Sequence, residues 1–163
     1  MAVGGSNRRA NSGSGRPGRR GVGPLSIKGA GNGTLAFTFP SNVDEAHDVR
    51  RKILDAAKVH GFAGESLFAL QIALEEALIN AVKHGNQLDP RKKIHVEARV
   101  NDRRAEIIIE DEGPGFDRSA VPDPTVDDNL HKCSGRGILL IEAYMNEVKW
   151  ERGGRRLRMI REK

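Results

Sequence analysis

Aromatic residues are scarce in this chain, at 4% of 163 residues. Aliphatic side chains must therefore fill any core, and a stacking platform of the kind that holds single-stranded nucleic acid has little to be built from. Cysteine is nearly absent too. The single Cys133 excludes an intramolecular disulfide and a cysteine metal cluster, and fits a reducing compartment. No apolar run approaches the roughly 18 to 20 residues that span a bilayer, and the N-terminus lacks the apolar stretch of a secretory signal. The expectation is a cytoplasmic protein with no membrane segment.

Acid is missing from one place in particular. Residues 1–33 hold Arg8, Arg9, Arg16, Arg19, Arg20 and Lys28 and no Asp or Glu, leaving 21 cations against 22 acids for residues 34–163, a net of −1. The overall charge of +5 thus belongs to the tail. That tail also carries 10 of the 19 glycines and few apolar residues. Such a segment buries too little surface to offset its ordering entropy, so residues 1–33 read as a disordered basic tail. Two roles stay open for it: electrostatic contact with an acidic surface or nucleic acid, or none beyond solvation.

What is present begins at Thr34. Residues 34–39 alternate as a half-buried strand before Pro40. A helix follows from Ser41 or Asn42 to about residue 60, and a longer one over residues 64–84, stopped by Gly61 and Gly85. Strands are expected at 93–100 and 105–110, then a Pro/Asp/Gly-rich loop at 112–134, long enough to read as a functional lid. A helix at 137–144 and strands at 147–152 and 155–161 complete the chain. Short turns between successive strands imply antiparallel pairing. The expected fold is an α/β (α+β) two-layer sandwich, a mixed, mostly antiparallel sheet with helices on one face, spanning residues 34–163 as one domain.

At about 100° per residue, Leu67, Leu70, Leu74, Ala77, Leu78, Ala81 and Val82 form one apolar face of the long helix. Glu76, Asn80, Lys83 and Gln87 share a narrow polar stripe with His84 at its edge, while Glu75 points elsewhere. A solvated i,i+4 pair is one reading of that stripe. The other is a magnesium–nucleotide site, in which the amide oxygen binds a hard cation and the carboxylate orients or deprotonates an attacking hydroxyl.

Two glycine motifs follow. Asp111-Glu112-Gly113-Pro114-Gly115 leaves the strand Ile107-Ile108-Ile109. It is either an ordinary turn or a place where an acid meets an exocyclic amine such as that of adenine. Ser134-Gly135-Arg136-Gly137 opens an apolar helix, where free backbone N–H groups, the helix dipole and Arg136 can receive phosphate. The alternative is a plain helix-entry turn. Neither motif is a Walker A loop or a Rossmann fingerprint.

In order and spacing, Glu-x-x-x-Asn on a helix, Asp-x-Gly-x-Gly after a strand, a lid, and Gly-x-Gly opening a helix resemble the three nucleotide boxes of the GHKL ATPases. The resemblance covers residues 34–163 and implies a Bergerat-type ATP-binding fold. The runs from Glu75 to Asn86 and from Gly135 to Val148 look like those of the anti-sigma-factor serine/threonine kinases. That likeness implies ATP and Mg2+ as cofactors, Glu76 as general base and Asn80 as magnesium ligand. It implies nucleotide contacts by Asn80, Lys83, His84 and Asp111, a turn shaped by Gly113 and Gly115, and phosphate binding by Ser134, Gly135, Arg136 and Gly137. It further implies a homodimer that phosphorylates an anti-sigma-factor antagonist of the STAS type and sequesters a sigma factor by partner switching. One position departs from the pattern. Kinase members often carry arginine two residues before the first lid glycine, and here that residue is Cys133, with Lys132 and Arg136 as the neighbouring cations. A non-catalytic, ATP-dependent binding module is the alternative function.

Overall fold

The computed structural model describes Met1 and residues 33–117 and 136–163. The rest of the basic tail, most of the expected lid, and with it Lys132, Cys133, Ser134 and Gly135, lie outside the described residues. The elements run β1 (Thr34–Pro40), α1 (Val43–Val59), α2 (Gly64–Asn80), a π turn (Ala81–Gly85), β2 (Lys93–Val100), β3 (Arg104–Asp111), α3 (Arg136–Tyr144), β4 (Glu147–Glu151) and β5 (Arg156–Glu162). The sheet order is β1-β2-β3-β5-β4, and every pairing is antiparallel.

The alternation of β2 sets the two faces of the sheet. Ile94, Val96, Ala98 and Val100 are buried, and Lys93, His95, Glu97 and Arg99 are exposed. Ala105, Ile107 and Ile109 of β3 continue the buried side. Against it lie Leu70, Leu74 and Leu78 of α2, with Ile53 of α1 and Ile141 of α3. Burying each large aliphatic contributes about 1.5–3 kcal/mol. α2 contacts both other helices as well as β5, and its buried Ala69, Ala73 and Ala77 have the short side chains such crowding needs. The outward face of the sheet is charged. Arg158 pairs with Glu106 at 2.6 Å and Arg156 with Glu110 at 3.4 Å.

The expected α1 start resolves to Asn42, whose side chain accepts from Asp44 N at 2.7 Å and so caps the helix. The expected long helix differs in its last turn. It is α-helical only as far as Asn80; residues 81–85 then form a π turn, closed by Asn86 N–H donating to Ala81 O at 2.8 Å. One inserted residue widens the helix there, a feature often found beside functional sites. Gln87 and Leu88 follow at φ 56° and 59°, off the helix altogether. No helix among the described residues is long and apolar enough to cross a membrane.

Candidate functional site

Glu76 and Asn80 stand one turn apart on α2, both half-buried. Gly137, in the first turn of α3, lies directly against them. A Cβ built on Gly137 would sit 2.5 Å from Glu76 Oε2 and 3.2 Å from Asn80 Nδ2. Only a residue without a side chain lets the positive end of α3 come this close to the carboxylate and amide. Arg136 is exposed beside them. Glu75 turns away to α1, pairing with Arg50 and lying 3.6 Å from His47 Nδ1. The two adjacent glutamates are thus committed to different places.

Asp111 ends β3 and is half-buried. Its backbone N–H donates to Arg155 O at 3.0 Å, and its Oδ1 accepts from Gly113 N–H at 2.8 Å. A Cβ on Gly85 would fall on the Asp111 carboxyl, and one on Gly113 would fall on the Gly85 carbonyl. The π turn and the turn after β3 are therefore in close contact through two glycines. Burial pushes the Asp111 carboxyl above its usual value of 3.8, opposed by the Gly113 hydrogen bond and the nearby Arg155 and Lys92 charges. Gly115, at φ 79°, packs on the Gly153 carbonyl at the tip of the β4–β5 hairpin.

Lys83 and His84 are exposed on the π turn. Gln87, placed on the Glu76–Asn80 stripe by a continuous α-helix, does not lie on it, because the helix has already ended. Ser134 and Gly135 fall outside the described residues. Sequence reasoning assigned no role to Asn86, which is fully buried, or to Glu112, whose backbone N–H donates to Asn86 Oδ1 at 2.8 Å. The signal available was an amide directly after the glycine that stops the helix. A shallow cleft of about 480 Å³ lies further along the same loop, where Phe116 meets Trp150 edge-on at 5.0 Å. Neither Asp111 nor Glu76 lines it.

Residues 39–161 match the histidine kinase-like ATPase domain. The chain belongs to that family. Among the relatives of this ATPase domain are serine-protein kinases. The serine-protein kinase RsbW of Listeria monocytogenes is 32% identical over 121 residues, 71% of this chain and 77% of that protein. The RsbW of Bacillus subtilis is 29% identical over 123 residues, 71% of this chain and 76% of its own. The anti-sigma F factor of Shouchella clausii is 34% identical over 88 residues, 52% of this chain and 60% of that protein. Within the ATPase family the chain stands in the serine-protein kinase branch.

The contact at Gly137 of the ATPase domain yields a prediction that separates folding from chemistry. The atom a Cβ would strike is the far end of a flexible side chain, so Gly137→Ala is expected to leave the melting temperature within about 2 °C. Displacing Glu76 by about 1 Å is expected to slow turnover by around 100-fold. Thermal unfolding and a phosphoryl-transfer rate, measured on the same preparation, check both halves.

Proposed function

We propose that this ATPase domain is a protein serine/threonine kinase that transfers the terminal phosphoryl group of ATP to a serine of an anti-sigma-factor antagonist. Residues 34–163 form the kinase domain in this reading, and residues 1–33 a tail outside it. The observation that carries it is the seating of Gly137 against Glu76 and Asn80. This juxtaposition puts a carboxylate, an amide and the positive end of a helix around one point, the combination that phosphoryl transfer uses.

The donor set fits magnesium–ATP. Mg2+ takes few protein ligands alongside phosphate oxygens and water, and the Asn80 amide oxygen is a suitable hard donor. When bound, Mg2+ neutralises charge developing on the phosphates. Glu76 accepts the proton of the attacking serine hydroxyl at its carboxylate. Gly137, Arg136, Ser134 and Gly135 hold the phosphates, and Lys83 and His84 add further nucleotide contacts. Asp111 accepts from the adenine amine, and Gly113 and Gly115 shape the turn that presents it. A relative's name, anti-sigma F factor, supports a sigma factor as one partner; a STAS-type antagonist as the alternating partner, a homodimer and a cytoplasmic location belong to the same proposal.

Incubation with magnesium, labelled ATP and an antagonist tests the activity. Label on the antagonist's serine is the expected result. ATP binding with no transfer to any antagonist would instead favour the non-catalytic module, the reading to which Cys133 at the usual arginine position points.

The nucleotide assignment has its own test. Asp111→Asn is expected to weaken ATP binding by about 10- to 100-fold, the loss of a charge-assisted hydrogen bond. Unchanged affinity would remove Asp111 from the site. The pH dependence has opposite signs for binding and folding. Because burial raises the folded-state pKa, lowering the pH protonates Asp111 earlier than an ordinary aspartate, and ATP affinity falls. The same protonation favours the nucleotide-free fold, since between 3.8 and the folded pKa the native state holds more protons than the unfolded chain. Asp111→Asn should remove this carboxyl's share of both trends.

A further inference from the structure

The ladder between β2 and β3 ends at the pair Ile94–Asp111. The next rung would join Lys93 to Glu112, and a side chain occupies it instead. Asn86 Nδ2 donates to Lys93 O at 2.9 Å, and Glu112 N–H donates to Asn86 Oδ1 at 2.8 Å. One acceptor and one donor are satisfied by one carboxamide, so the Asn86 side chain stands between the strand ends as a peptide unit would. Glu112 closes the ring, its Oε2 accepting from Lys93 N–H at 2.8 Å. Asn86 is fully buried, and its own N–H closes the π turn.

From these contacts we infer that Asn86 is a positioning residue for base recognition: it inserts between β2 and β3 and locks the Asp111 carboxylate onto the helix that carries Glu76 and Asn80. The inference rests on the reading of Asp111 as the adenine contact. Asn86 holds both neighbours of that carboxylate. On one side it follows Gly85, whose Cα abuts the Asp111 carboxyl. On the other it holds the backbone of Glu112, the residue after Asp111.

The backbone just after Asn86 is unusual. Gln87 and Leu88 both sit in the left-handed region, at φ 56° and 59°, which non-glycine residues adopt only where surrounding contacts hold them. Leu88 N–H donates to Val82 O at 2.9 Å, and the hydrogen bonds of Asn86 secure the residue before the pair. Asn86 thus ties the strand end that carries the base-reading acid to the end of the helix that carries the phosphate-side residues, in addition to the sheet ladder and the Gly85–Gly113 contact. Without the Asn86 side chain, Lys93 O and Glu112 N–H lose those partners, and the turn after Asp111 loses its hydrogen-bonded tie to the end of α2.

The test compares ATP with purine riboside 5′-triphosphate, which lacks only the exocyclic amine. Affinities are measured with magnesium for the full chain and for Asn86→Ala, Asn86→Asp and Asp111→Asn. The unmodified protein is expected to prefer ATP. Asn86→Ala is expected to lower ATP affinity about tenfold, the worth of one well-placed hydrogen bond, and to leave the amine-free nucleotide within about twofold. A folded Asn86→Ala protein that keeps its preference overturns the inference. So does an equal loss for both nucleotides, which marks a general loosening. If Asn86→Ala does not fold, Asn86→Asp decides by the same comparison, since it retains the acceptor for Glu112 N–H and lacks the donor to Lys93 O. The underlying reading fails separately: either the unmodified protein shows no preference for ATP, or Asp111→Asn leaves the preference intact. Preference lost in Asp111→Asn but kept in Asn86→Ala sinks the Asn86 role alone.

Discussion

Glu76→Gln is expected to stop phosphoryl transfer while ATP stays bound. The substitution keeps the shape of the side chain and removes its capacity to take a proton, so the loss falls on the chemical step. A positioned general base contributes about 10²- to 10⁴-fold, and a single-turnover rate of label onto the antagonist's serine should drop by that amount. Folding should be nearly unaffected. The ion pair to Arg50 of α1 is made by Glu75, and Glu76 is only half-buried against Gly137. The neighbouring Glu75→Gln is the control, since it loosens α1 from α2 without touching the site. ATP affinity can be followed by the fluorescence of Trp150, the one tryptophan of the chain, which meets Phe116 on the loop leaving Asp111. An undiminished transfer rate in Glu76→Gln would take the carboxylate out of the reaction. A loss of ATP affinity in place of rate would make it a binding group.

Gly113→Ala is expected to cost far more stability than Gly137→Ala. Its Cβ would fall on the Gly85 carbonyl and 2.8 Å from Asp111 Oδ1. The first of these is backbone, in a π turn whose neighbours are already fixed by Asn86, so no side-chain rotation relieves the clash. Either the exit of β3 or the end of α2 must shift. Overpacking of this kind costs about 1–3 kcal/mol, several degrees in melting temperature for a domain of this size. Because the Asp111 carboxylate moves with either shift, ATP affinity should fall by about tenfold or more. Thermal unfolding and ATP titration together check the claim. A normal melting temperature would show that the two turns can separate freely. The contrast with Gly137→Ala is informative, because there the added methyl meets a movable carboxylate and only turnover should suffer.

These two glycines show where sequence reading reaches and where it stops. Both were visible as parts of motifs, and the order of the motifs pointed to a nucleotide site. What each glycine makes room for was not visible, since Gly113 faces Gly85 and Gly137 faces Glu76 across long stretches of chain. The choice of Glu76 over Glu75 was legible because two adjacent helical residues differ by about 100° in direction, and that is local geometry. The strands were legible for the same reason: residues 93–100 alternate between buried and exposed at every position, and a period of two is written directly in the residue types.

The last turn of α2 was not legible. A hydrophobic period sees which face is apolar, and Ala81 and Val82 are buried as that period requires. It does not see whether the carbonyl of residue 81 is taken by the N–H four or five residues on. Asn86 N–H takes that carbonyl while its side-chain carboxamide fills the rung between Lys93 and Glu112, a contact between distant segments that no local period contains. The sequence by itself determined the alternating strands, the apolar faces of the helices, the charge division at residue 33 and the residues available for nucleotide chemistry, because each depends on neighbours a few positions away. Only the tertiary structure decided the π turn, the insertion of Asn86 and the meeting of Gly137 with Glu76. Those depend on hydrogen bonds and close contacts between segments far apart in the chain, which exist only once the sheet and helices have packed.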